Sequence, residues 1–180
     1  MGPAVPGSFC VSKSERPGDP MASSDPLRQH LMRLLNWQDA HVNLDEAVEG
    51  LPPDLRGRRP PGVAHSPWEL IEHMRLAQHD ILDFCRNPDY RKLKWPDDYW
   101  PSDAAPESPE AWNESLAAFG DDRAALCRLA EDPAVDLFAA IPHGSGHTYL
   151  RELLLVADHN AYHVGQLVIV RRLRGAWPPA

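Results

Sequence analysis

A chain of 180 residues, 43% of them hydrophobic, has enough apolar mass for one sizeable core, and its length favours one domain over two. Its 26 acidic against 18 basic residues leave a formal charge of −8, a field that opposes nucleic acid and anionic membrane surfaces. Three cysteines, Cys10, Cys85 and Cys127, are odd in number and lack any CxxC spacing, which argues against a disulfide framework or a thiolate metal site and fits a reducing cytoplasm.

Residues 1–20, rich in Pro, Gly and Ser with no apolar period, read as a disordered leader to a single domain over residues 21–180. The leader has no basic segment followed by an apolar run, and no later stretch reaches about 18 uninterrupted apolar residues, so neither export nor a membrane role is expected. Ser24 or Asp25 as N-cap with Pro26 behind it opens a first helix, expected from about Asp25 to Gly50. The proline-rich segment "LPPDLRGRRPPGVAHSP" can only connect. In "HSPWELIEHM", Ser66, Pro67 and Glu69 form a capping box that starts a second helix running to about Arg86.

Between Asn87 and Pro109 the chain is aromatic and punctuated by proline, long enough for a covering role. Ser108 and Pro109 then start a third helix, to about Glu131, with Trp112, Leu116, Phe119, Leu126 and Leu129 at helical intervals. A fourth, from about Tyr149 to Arg174, is hydrophobic nearly all round and stops at Gly175. No alternating strand pattern competes. The expected fold is all-α, a four-helix bundle with long irregular connections.

The last helix carries "DHNAYHVGQL". His159 and His163, at i and i+4, project from one face, and Val156 and Val170 on the same stripe turn that face inward. An unpartnered ring there costs roughly 1–3 kcal/mol, whereas a divalent cation satisfies both rings at once. Hydrogen bonds from each ring to a carbonyl or neighbouring side chain would also suffice, so a third ligand is needed. His73 supplies one, on the margin of a stripe with Leu70, Ala77, Ile81 and Phe84; His79 faces the other way, toward solvent. His41 shares a face with Leu34, Gln38 and Asp45 and stands in reserve. Glu152 and Gln166 lie on or near the ligand stripe as candidates to orient a ligand or shuttle a proton. His30, His65, His143 and His147 fall at helix ends or in connections, the last two placed to overhang the site. Trp95, Tyr99 and Trp100 either wall a substrate pocket or plug the end of the bundle.

His73, then His159 and His163 followed by Gly165 and Gln166, resemble the DinB-like superfamily of bacterial damage-inducible and thiol-transferase-related proteins, over roughly residues 24–177. The resemblance implies a four-helix bundle in which one histidine of the second helix and an HxxxH pair of the last hold a divalent metal. Many members have histidine and arginine where this chain has Tyr162 and Val164, a departure that bears on substrate and not on the metal. Zinc or nickel is the favoured ion, with iron or manganese next, since imidazole suits several metals.

Two functions follow from such a site. One is a cytoplasmic enzyme of thiol S-transferase or hydrolase type acting on a small molecule, a low-molecular-weight thiol in the transferase case. The other is a non-catalytic metal-binding or stress-response bundle, in which a fourth protein ligand closes the coordination sphere. The surplus apolar surface of the last helix further predicts a homodimer.

Overall fold

The computed structural model describes residues 25–37 and 39–179. Five helices, α1 (Pro26–Leu35), α2 (Leu44–Val48), α3 (Pro67–Arg86), α4 (Pro109–Glu131) and α5 (Tyr149–Leu173), make an all-α fold. The described residues contain no strand, only an isolated bridge between Ala140 and Thr148. The leader expected over residues 1–20, Ser24 and Gln38 lie outside the described residues.

Local chemistry sets the boundaries. Asp25 caps α1, its carboxylate accepting from the Leu27 amide, and Pro26 needs no partner. Ser66 and Glu69 close the capping box that starts α3, Ser108 caps α4 and Thr148 caps α5. The first helix is shorter than expected. It ends at Leu35, where Asn36 folds its amide back onto the Met32 carbonyl (2.8 Å) and Trp37 takes a positive φ of 49°. The chain becomes helical again only after Asn43, which forms its own capping box with Glu46. An apolar period running across residues 25–50 conceals this local competition for backbone amides.

α3 packs on α4 and α5, and α1 packs on the same two helices from the other side. Two apolar clusters fill the interior. The first joins Leu70, Ile71 and Met74 of α3 to Trp112 and Phe119 of α4 and to Val164, Leu167 and Val170 of α5. The second joins Leu82 of α3 to Ala125, Leu126 and Ala130 of α4 and to Leu153, Val156 and Ala157 of α5. Along the chain, α3 and α4 pass from the first cluster to the second, whereas α5 passes the opposite way. α3 and α4 therefore run parallel. Parallel neighbours need a crossover, which is the physical reason for the long segment 87–108 between them.

A polar layer separates the clusters. Gln78 and Asn160, both buried, occupy the interval between Met74 and Leu82 on α3 and between Ala157 and Val164 on α5. Asn160 Nδ2 donates to Gln78 Oε1 (3.0 Å), and Gln78 Nε2 donates to the Phe119 carbonyl of α4 (2.8 Å). The layer thus ties three helices in one register.

Gln78→Leu strands the amide of Asn160 in the interior and should cost about 1–3 kcal/mol in urea unfolding of the metal-free chain. The double variant with Asn160→Leu should recover part of that loss; equal or additive losses in the two proteins would show that the pair is not coupled.

Candidate metal centre

His73 sits on the second turn of α3, and His159 and His163 lie one turn apart on α5. Because the two helices pack antiparallel, the three rings meet in the groove between them. One ring nitrogen of each histidine lies within 4.8 Å of the others. His73 Nε2 and His159 Nε2 are 3.1 Å apart. His73 is 2% exposed, not marginal as its helical stripe suggests, because the crossover folds over it.

The protons on these rings follow from their neighbours. His73 Nδ1 faces the Tyr99 carbonyl at 2.8 Å, which can only accept, so Nδ1 carries the proton. His163 Nδ1 is 2.7 Å from Gln166 Oε1 and donates to it. For His159 the argument starts at α4. The Phe119 carbonyl requires the Gln78 NH2, which turns the Gln78 oxygen to the Asn160 NH2, and that leaves Asn160 Oδ1 facing His159 Nδ1 at 3.3 Å. His159 Nδ1 is therefore the donor. All three Nδ1 protons point outward to protein acceptors, and the Nε2 lone pairs of His73 and His159 confront each other.

Such a contact has no proton to make it a hydrogen bond. Burial is the first cause that lowers the pKa of all three rings, to about 4 for His73 and His163. The Tyr99 carbonyl, the Gln166 oxygen and the Asn160 oxygen oppose this shift but do not overcome it. The rings are neutral at pH 7. A cation reconciles them: nitrogens each about 2.0–2.1 Å from one ion at near-tetrahedral angles lie roughly 3.1–3.4 Å apart. Three neutral imidazoles of this kind can hold a divalent ion, and a protein acceptor behind each is the arrangement that fixes a ligand's tautomer.

Aromatic rings enclose the cluster. Trp100 stacks on His73 with centroids 3.9 Å apart and planes 1° from parallel, and His65 stacks on its opposite face at 4.0 Å. Trp95 and Tyr162 stand edge-on to His73 and His163, and both are about two-thirds exposed, at 66% and 65%. Among the described residues no fourth His, Cys, Asp or Glu joins the three histidines.

The model of the DinB superfamily matches residues 36–167, which span α2 to most of α5 and all three clustered histidines. This chain belongs to the DinB superfamily. Neither the curated proteins nor the solved structures gave a match.

In this DinB protein the other sequence candidates fall in several places. Gln166 bonds His163. Tyr99 bonds His73 through its main chain, while its hydroxyl donates to Asp80 (2.6 Å). His41 is exposed in the break between α1 and α2, with Nδ1 against the Val42 carbonyl, and the helix that carries Leu34 ends at Leu35, before it reaches His41. Glu152 is buried, but it binds Arg151 and His147 and not a clustered histidine. His143 bonds the Phe84 carbonyl, and His79 lies exposed against Asp122. Sequence reasoning missed Asn160, Gln78 and His65. Asn160 had a signal, since a polar residue one turn from both Val156 and Val164 on the buried stripe demands a partner.

The depressed imidazoles set a pH dependence. Their folded pKa values lie below the ordinary 6.5, so between about 4 and 6.5 the unfolded chain binds protons that the folded chain refuses. Stability of the metal-free protein is therefore complete above pH 6.5 and is lost as pH falls toward 4. Urea midpoints across that window should drop, and the slope should flatten in His73→Asn; a wild-type profile level from pH 7 to 4.5 would contradict this.

Proposed function

We propose that this DinB protein is a metal-dependent enzyme acting on a small molecule, with His73, His159 and His163 as ligands of a divalent ion, zinc or nickel ahead of iron or manganese. The observation that carries the reading is the 3.1 Å approach of two imidazole nitrogens that both bear lone pairs. A bound ion supplies Lewis acidity, which suits activation of a thiol for transfer to an electrophile or of water for hydrolysis. Thiol transfer, with a low-molecular-weight thiol, takes precedence because the resemblance to thiol-transferase-related bundles favours it.

The chain's own residues have separable tasks in this scheme. Tyr99, Asn160 and Gln166 hold the three Nδ1 protons and so orient the lone pairs. Trp100 keeps water from one face of His73. Trp95 and Tyr162, exposed beside the cluster, offer apolar walls to an incoming substrate. A purely structural ion would call for a fourth protein ligand; among the described residues only the three histidines converge, which leaves room for a reactant and supports catalysis over the non-catalytic alternative.

The same reading takes α1, α3, α4 and α5 as a four-helix bundle within one domain over residues 21–180. It places the protein in the cytoplasm, where the free, buried Cys85 and Cys127 stay reduced. No described helix is long and apolar enough to cross a membrane. Leu154, Tyr162, Ile169 and Leu173 of α5 are exposed, apolar surface that suits a homodimer.

Metal analysis of protein purified without added metal should find close to one divalent ion per chain, and His159→Ala should lose it while staying helical by circular dichroism. Turnover of at least one thiol and electrophile pair, or of an ester or amide, should vanish with the metal and return on its readdition. Full metal occupancy in His159→Ala would refute the site.

A further inference from the structure

A surface helix ordinarily keeps charged and polar groups on the face turned away from the core. α5 departs from this. Val156, Asn160 and Leu167 lie on its buried side, and at about 100° per residue the opposite side carries Leu154, Asp158, Tyr162, Gly165, Ile169 and Arg172 within about 80°. All of these are exposed. From Asp158 onward they advance by four, three, four and three residues, the alternation of a seam that receives a second helix.

Gly165 stands at the centre of that seam. A Cβ there would meet nothing within 4 Å, so no contact among the described residues requires glycine, which a helix interior disfavours. A bare Cα on an exposed face serves a backbone that approaches from outside. Asp158 and Arg172 lie seven residues to either side of Gly165, and neither side chain has a hydrogen-bond or ion-pair partner among the described residues. The two are about 21 Å apart along their own helix and cannot meet within one chain.

We propose that two copies of this chain pair through α5, antiparallel, with the two-fold axis at Gly165. Residues equally far before and after Gly165 then face each other, so Asp158 meets Arg172 of the partner subunit and Arg172 meets the partner's Asp158. A parallel pairing would set like charges opposite one another, and this selects the antiparallel orientation. Tyr162 packs on the partner's Ile169. Because Tyr162 stands edge-on to His163, the partner forms part of the rim of each metal centre. The pairing rests on the homodimer reading above and gives it a face, an orientation and a register.

Sedimentation equilibrium of the full chain from about 1 to 100 µM tests it. The unmodified chain should dimerise within that range. Gly165→Gln, whose side chain has open space in the monomer, should keep its helicity by circular dichroism and raise the dissociation constant at least about tenfold. Asp158→Arg should also raise it at least about tenfold, since each of two ion pairs becomes a repulsion, and the double variant with Arg172→Asp should return it to within about threefold of the unmodified chain. A monomer throughout the range would overturn the pairing together with the homodimer. A dimer that tolerates Gly165→Gln, or a double variant no tighter than Asp158→Arg, would overturn the pairing and leave the homodimer. Metal content of each protein is read separately and decides the histidine site on its own.

Discussion

Two imidazole nitrogens that both carry lone pairs lie 3.1 Å apart in the groove between α3 and α5, and the surrounding structure leaves neither a proton to share. In isolation that contact is repulsive. It becomes favourable when a cation takes both pairs, and the third ring, His163, lies close enough to join. The burial of the cluster strengthens the case, since burial is what keeps the rings neutral and able to coordinate.

The fold imposes this contact from three directions. α5 supplies a pair of histidines one turn apart. α3, packed antiparallel, brings His73 opposite them. The parallel course of α3 and α4 forces a crossover, and that crossover delivers the Tyr99 carbonyl and the Trp100 ring to His73. The polar layer then makes the tautomer of His159 depend on a main-chain carbonyl of α4, three hydrogen bonds away through Asn160 and Gln78. Packing register and ligand chemistry are therefore one constraint. A shift of α4 by one residue would misplace the Phe119 carbonyl and with it the donor on His159.

Much of this was legible in the sequence, for local reasons. Ser66 with Glu69, Ser108 with Pro109, and the last apolar period named the starts of three helices because caps act within one turn. The spacing of His159 and His163 named a shared face because helical period is fixed. What escaped was non-local or competitive. The break after Leu35 depends on Asn36 and Asn43 diverting backbone amides, which an apolar period does not reveal. His41 was grouped by a helix that does not continue to it. The depth of His73 depends on Trp100, distant in sequence, and so does the stacking of His65. Glu152 was read as facing the ligands, but its partner His147 comes from a connection whose path no period predicts.

X-ray absorption at the zinc edge of the zinc-loaded full chain tests the central claim most directly. Convergence of three lone pairs predicts nearest scatterers that are nitrogen or oxygen only, at about 2.0–2.1 Å, with outer-ring scattering from three imidazoles and no sulfur near about 2.3 Å. A spectrum with a sulfur neighbour, or with scattering from one imidazole or none, would contradict it.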